Sequence, residues 1–378
     1  MSPKNVTGSF VYAENLMENL FKIDLKNQYF LFVKLGDYFY WKRKFREFYN
    51  VKFIIIDVRK DIILNPIRAV CKIWTKLNNK ENLRALVCDE MQKEIELKKI
   101  GTLFSPSQAV YPSGLKNIRL ITTICDLQHE YMPNNFSPAQ LKLRREDINY
   151  AVKNSIHLIA ISEYTKKMIT ETYMIDPNKI TVTYLAPNIP KETKFVRLPD
   201  QFMFYPAAFW PHKNQEILIE SLKQLEKKFP DLHLVLTGME KKREIRERIT
   251  RAINRLGLKE KVHILGFVSA SELAYIYSKA EILVYPSSFE GFGIPIVEAF
   301  NYKVPVIAAN NTSINEIVAG AGILFKTGNL QELSQSISRL LGDENLRKKL
   351  IQKGQERLQK FSWEECAKKT IQVLTKMQ

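Results

Sequence analysis

The stretch "SSFEGFGIPIVEAF", residues 287–300, sets two carboxylates, Glu290 and Glu298, eight positions apart around a Gly291-Phe292-Gly293 turn. Pro295 stands between the turn and the second acid, where its fixed φ suits the first turn of a helix. The unpaired N–H groups of such a helix start, beside two flexible glycines, form a cradle for anionic oxygens. A carboxylate accepts hydrogen bonds, and sugar rings offer hydroxyls in pairs. A phosphate flanked by a ribose and a hexose would engage every part of this segment. Taken singly, each acid has a plainer reading: Glu290 as a solvated loop residue, Glu298 as a charge offsetting the helix dipole.

A basic element earlier in the chain shifts that balance. In "YPAAFWPHKNQEILIESL" (205–222) an apolar strand runs into a turn at Pro211, and His212, Lys213 and Asn214 lead into a helix. Lys213 would stand on a strand-to-helix loop facing a cleft, where its ammonium reaches a diphosphate as a point charge. A lone lysine beside an asparagine helix cap is usually a surface residue. With two acids and a glycine turn downstream, the ligand reading is the stronger one.

These loops need a scaffold, and the second half supplies a regular one. Apolar runs at 202–207, 232–238, 262–268, 281–287, 304–310 and 322–325 read as strands. Helices are expected over 214–229 and about 240–256, in a short segment opened by Ser271, and after Pro295. Continuously apolar strands alternating with helices imply a parallel sheet covered on both faces. The first half repeats the rhythm less cleanly, with strands expected at 28–33, 51–57, 100–105, 119–125, 156–162 and 179–185. Between the halves, "APNIPKETKFVRLPD" (186–200) holds three prolines and little periodicity, as a linker does. The expected fold class is α/β: two doubly wound, Rossmann-like domains facing a central cleft, with ligands beyond the carboxyl ends of the strands. The domains are placed at 1–190 (acceptor side) and 201–361 (nucleotide-sugar side), with 191–200 as linker. Residues 362–378 are expected to form a helix that crosses back to the N-terminal domain.

Composition bounds the rest. A chain of 378 residues is too long for one ordinary core. No apolar run approaches the roughly 20 residues that span a bilayer, and "MSPKNVTGSF" lacks the apolar core of a secretory signal. Cys71, Cys88, Cys125 and Cys366 are scattered without a C-x-x-C pair, which indicates neither a zinc site nor a disulfide framework. A reduced, cytoplasmic protein is expected. The net charge of +17 is divided between residues 1–200 (31 basic, 21 acidic, +10) and residues 201–378 (26 basic, 19 acidic, +7). Such a surface attracts anions: nucleic acid, acidic lipid or a phosphorylated small molecule. No RNA-binding signature and no concentrated basic stripe accompany it, so nucleic acid is not an expected partner.

The ordered motifs "FEGFGIPIVEA", "FWPHKN", "HLVLTG", "VHILGFVS", "ICDLQHEYMP" and "LIAISEYTKKMI" are together similar to the group 1, family 4 retaining glycosyltransferases, whose fold is the two-domain GT-B. The first is that family's E-x7-E element; "FSWEECAKKTIQVL" resembles its last helix, and the likeness covers roughly residues 8–378. The resemblance implies transfer of a hexose, mannose favoured, from a GDP-sugar or UDP-sugar to an acceptor hydroxyl with retained anomeric configuration. It implies no cofactor and no metal. Glu290 would meet the sugar's hydroxyls, Glu298 the ribose, and Lys213 the diphosphate. Gly291, Phe292 and Gly293 would present backbone to sugar and diphosphate, flanked by His212 and Asn214, and Gly266, Phe267 and Val268 would border the base. Asp126 would join the catalytic group, with Gly8, Ser9, Cys125 and His129 on the acceptor side. The acceptor would be a glycan or lipid-linked molecule of envelope polysaccharide synthesis.

Three departures qualify the likeness. Cys125 stands where the family usually has a histidine, and Ala208 where an arginine often lies. The chain begins a few residues before Gly8-Ser9, so the strand expected before that glycine loop is missing from it. A catalytically degenerate GT-B protein that binds nucleotide or glycan as a partner or regulatory module is the alternative. In "DYFYWKRKFREFYN" (37–50), Tyr38, Trp41, Phe45 and Phe48 share a helical face away from Lys42, Arg43 and Arg46. That is the composition of a helix lying on anionic lipid and also of one packed on the N-terminal sheet. The first reading would place the protein peripherally on the inner face of a membrane.

Overall fold

The computed structural model describes residues 8–56, 80–239 and 243–376; positions 1–7, Asp57 and Cys71 lie outside them. The first half runs α1 (Gly8–Ile23), β1 (Tyr29–Lys34), α2 (Leu35–Phe45), β2 (Val51–Ile56), α3 (Lys80–Leu97), β3 (Thr102–Ser105) and β4 (Arg119–Ile124). It continues with α4 (Gln128–Tyr131), α5 (Pro138–Asn154), β5 (Ser155–Ala160), α6 (Glu163–Tyr173) and β6 (Ile180–Val182). Among the described residues β1 pairs with β2, and β3-β4-β5-β6 form a separate parallel sheet. Gly8 and Ser9 occupy the first turn of α1 and not a glycine loop, which corrects that expectation.

The second half comprises β7 (Gln201–Pro206), α7 (Gln215–Leu225), β8 (Leu232–Thr237), α8 (Arg243–Leu256), β9 (Val262–Ile264), α9 (Ala270–Lys279) and β10 (Ile282–Tyr285). Then follow α10 (Ile294–Asn301), β11 (Val306–Ala309), α11 (Thr312–Val318), β12 (Ile323–Phe325), α12 (Leu330–Gly342), α13 (Glu344–Leu358) and α14 (Trp363–Lys376). Its six parallel strands lie in the order β9-β8-β7-β10-β11-β12. The chain winds outward from β7 in one direction and from β10 in the other. The carboxyl ends of β7 and β10 therefore flank the topological switch point, where the helix connections diverge and leave a crevice. Phe202 to Tyr205 and Ile282 to Tyr285 are buried on both faces, as continuous apolar runs require. Ser269, and not Ser271, opens α9: its Oγ accepts from Glu272 N at 3.3 Å while the Glu272 carboxylate accepts from Ser269 N at 2.8 Å.

The aromatic stripe of α2 faces inward. Trp41 and Phe45 are buried and stack at 5.4 Å, and Phe10 and Phe21 of α1 meet them at 5.6 and 5.1 Å. Tyr38 and Phe48 are half-buried against the same core. The reading of that face as a lipid-binding one is corrected: packing on α1 satisfies it. What α2 and the turn after it expose instead is Phe39, Lys42, Arg43, Arg46 and Tyr49. At the other end of the chain α14 lies against α1, with Trp363 beside Tyr12 at 6.4 Å and Trp363 Nε1 donating to Pro187 O at 3.1 Å. Val373 buries itself with Ile121 of β4 and Ile159 of β5. Among the described residues no helix is long and apolar enough to cross a membrane.

Candidate active site

Two loops meet at the switch point because β7 and β10 are hydrogen-bonded neighbours. After β7 the chain makes a tight turn over Pro211–Lys213, then Asn214 adopts a left-handed φ of 51° and sends Nδ2 to Pro286 O at 3.0 Å. Ser288 N donates to His212 O at 2.8 Å. The amide of Asn214 thus stitches the two loops together. Lys213 Nζ donates to Glu290 Oε1, and the Tyr285 hydroxyl donates to the same oxygen at 2.8 Å. Burial by itself would raise the Glu290 carboxyl, but the Lys213 charge and its hydrogen bond outweigh it and hold the group below its ordinary value. Burial, reinforced by the Lys213 charge, lowers His212 to about 4, so its ring is neutral at pH 7. Its Nδ1 is buried without a hydrogen-bond partner among the described residues.

The loop after β10 turns into α10 at Gly293, whose φ of +106° is left-handed backbone that glycine adopts without strain. Pro295 sits in the first turn. The Phe292 ring is buried against Tyr184 and Phe361, at 6.1 and 5.7 Å. One turn into α10, Glu298 is buried, accepts from the Tyr277 hydroxyl at 2.9 Å and is bonded by the backbone N–H of Asn188. Burial dominates and raises its carboxyl to about 7. The Tyr277 ring stacks on Tyr302 at 5.5 Å, which fixes the donor hydroxyl. Gly266, Phe267 and Val268 follow β9, and Phe267 presents an open ring at 62% exposure.

The opposite wall comes from the first domain. Gly291 lies so close to it that a Cβ there would stand 2.1 Å from Cys125 O and 3.2 Å from the Asp126 Cβ. Ser162 Oγ donates to Gly291 O at 2.7 Å across the same gap. Asp126 accepts from Gln128 N at 3.0 Å and lies 3.9 Å from Arg144 Nη1. The Cys125 thiol is pushed up to about 12, by burial first and then by Asp126, so at neutral pH it is a thiol and no base. His129 is corrected: its side chain is fully buried, with Nε2 3.4 Å from Glu130 Oε1, and does not open on the crevice. The structure thus gathers Lys213, His212, Asn214 and Glu290 in one knot and brings Cys125 and Asp126 to Gly291. It buries Glu298 against Tyr277 and leaves His129 in the core.

Several partners escaped the sequence. Tyr285 and Tyr277 read as core aromatics, and only their hydroxyls reveal the second task. Thr312 and Ser313 open α11 and brace the Glu290 loop: Thr312 Oγ1 accepts from Glu290 N at 3.2 Å, and Ser313 Oγ donates to the carbonyls of Glu290 and Phe292, both at 3.0 Å. No group of three or more His, Cys, Asp or Glu able to hold a metal is present among the described residues.

Residues 190–357 match the family model of the glycosyl transferases group 1. The chain is 26% identical over 269 residues to the O-antigen chain mannosyltransferase B of Escherichia coli, covering 67% of this chain and 69% of that protein. It is 30% identical over 229 residues to the O-antigen chain mannosyltransferase RfbU of Salmonella typhimurium, covering 57% of this chain and 62% of that one. In fold it resembles the Anabaena protein HepE, solved with UDP and glucose, with a TM-score of 0.74 at 18% identity over 100% of this chain and 98% of that chain. Residues 190–357 are thus similar to the group 1 glycosyl transferases, and the architecture of the chain is the two-domain GT-B fold.

Proposed function

We propose that the protein is a retaining glycosyltransferase that takes a nucleotide diphosphate sugar as donor and a glycan or lipid-linked molecule of envelope polysaccharide synthesis as acceptor. The observation that carries this reading is the Lys213–Glu290 pair, braced by Tyr285 at the switch point, with Glu298 on the helix that follows the same loop. A donor diphosphate entering the crevice takes the Lys213 ammonium and the free N–H groups at the start of α10. Glu290, released from Lys213 but still held by Tyr285, accepts from hydroxyls of the sugar. Glu298 accepts from the ribose hydroxyls, and the exposed Phe267 ring offers a face to the base. As the sugar–phosphate bond breaks, charge develops on the diphosphate where the positive groups already stand, so stabilisation requires little reorganisation. No metal enters this scheme.

The O-antigen relatives are named mannosyltransferases, which supports mannose from GDP-mannose; the HepE structure contains UDP, which keeps a UDP-sugar as the second donor to assay. Calorimetry with UDP, GDP and ADP, followed by transfer assays with the matching sugars, tests the reading. One nucleotide should bind well below millimolar concentration and its sugar should be transferred with its anomeric configuration kept. Nucleotide binding without transfer from any common donor would leave the degenerate binding module, consistent with Cys125 and Ala208, as the function.

A further inference from the structure

We infer that Glu316, on α11 of the donor domain, is a positioning residue that holds the two domains closed around the donor loop. This rests on the glycosyltransferase reading for its consequence in catalysis, though not for the contact itself. Glu316 reaches out of its own domain to the N-terminus of α6: Oε1 accepts from Glu163 N at 2.8 Å and Oε2 from Tyr164 N at 3.0 Å. Two successive helix-start N–H groups have no partner within their helix, and a carboxylate is their best counterpart in both hydrogen bonding and charge. The Tyr184 hydroxyl, on the chain leading to the linker, hydrogen-bonds the same carboxylate. Arg357 of α13 fixes the other side, donating from Nη2 to Glu316 O at 2.7 Å and from Nε to Ile317 O at 3.2 Å.

The position of α11 gives the contact its meaning. Its first turn, through Thr312 and Ser313, braces the backbone of Glu290 and Phe292. Its last turn carries Glu316 to α6. A seven-residue helix therefore links the loop that meets the donor sugar to the domain that presents the acceptor. On α6 the N-cap Ser162 answers in the other direction by donating to Gly291 O at 2.7 Å. Closure and donor-loop geometry are thus two ends of one rigid element. A chain without the carboxylate keeps the donor-binding groups, which all lie in one domain, and loses the means of bringing Asp126 and the acceptor to them.

The test compares wild type with Glu316→Ala, with the isosteric Glu316→Gln and with Tyr184→Phe, which keeps the carboxylate but removes one donor. Small-angle scattering with and without saturating UDP or GDP reads closure without any need for turnover. The expected result is a larger radius of gyration for Glu316→Ala, a smaller shift in the same direction for Glu316→Gln and the least for Tyr184→Phe. The turnover rate of Glu316→Ala should fall about tenfold, while its nucleotide affinity stays within about threefold of wild type. Unchanged scattering together with wild-type turnover in both Glu316 variants overturns the inference. So does a loss of nucleotide affinity as large as the loss of turnover, since that places the defect in the donor loop and not in closure. A wild type that transfers no sugar, with Glu316→Ala still expanded, overturns the enzymatic reading and supports the closure contact.

Discussion

The two halves of the molecule are built to different standards. The second has one six-stranded sheet over a large core that continues into α1 and α2 of the first half, and Lys213 and Glu290 hang on loops after adjacent strands. In the first, the four-stranded sheet rests on three small clusters, and among the described residues the β1–β2 pair stands apart from it. The half that carries the Lys213–Glu290 knot is densely braced. The four-stranded sheet of the first half is assembled from smaller pieces and borrows α14 to complete itself.

The comparison can be broken first at the knot. Glu290→Gln or Lys213→Ala should lower sugar transfer about a thousandfold, measured with radiolabelled or coupled-assay donors, because either change removes a preorganised charge at the reacting centre. Retained transfer in both would end the claim that the donor domain carries the chemistry. Gly291→Ala comes next. A methyl group facing Cys125 O forces the domains apart, and a displacement of about 1 Å can cost about a hundredfold in rate. Nucleotide binding by calorimetry should change far less than turnover.

Glu298 sharpens the comparison through pH. A carboxyl raised to about 7 in the folded protein binds its proton more tightly than in the unfolded chain, so its contribution to stability falls as pH rises from 4.5 towards 7. Glu298→Gln should therefore stabilise the ligand-free protein by up to about 3 kcal/mol at pH 8 and by little at pH 4.5, read by thermal denaturation. Nucleotide affinity of the wild type should increase as pH climbs through 7, since the carboxylate is the better ribose acceptor. The variant should lose about tenfold in affinity at pH 8 and show no such rise. The smallest effect concerns the first half. Changing Lys42, Arg43 and Arg46 to Glu should leave transfer to a water-soluble acceptor within about twofold, since exposed charges contribute little to folding. Co-sedimentation with anionic vesicles should weaken if the outward Phe39 and Tyr49 flank a lipid-facing stripe; equal binding would remove that role.

Much of this is legible in the sequence. Strands buried on both faces announce themselves as unbroken apolar runs, so the second sheet followed from "FMFY", "LVLT" and "ILVY" alone. Lys213 and Glu290 stood out because their types and loop positions have few structural uses together. What stayed hidden depends on tertiary contact. Amphipathic spacing in α2 reveals that one face is apolar but not whether lipid or α1 will cover it. Tyr277 and Tyr285 are indistinguishable from core residues until their hydroxyls find carboxylates. Nothing near Glu316 in sequence hints at a partner 153 positions away. Cys125 stands where the resembled family usually has a histidine, and His129, four residues on in the sequence, is withdrawn into the interior by the fold.

The packing of α14 on α1 has a consequence for how the protein is made. Residues 363–376 seal Ile121 and Ile159 and cover Tyr12, yet they are synthesised some two hundred residues or more after the strands and helix they protect. The N-terminal half must therefore wait on the ribosome with an unfinished flank, while the C-terminal sheet, closing on local neighbours, can mature first. Clipping the last helix would expose that flank and should send the first half, and not the second, to proteolysis.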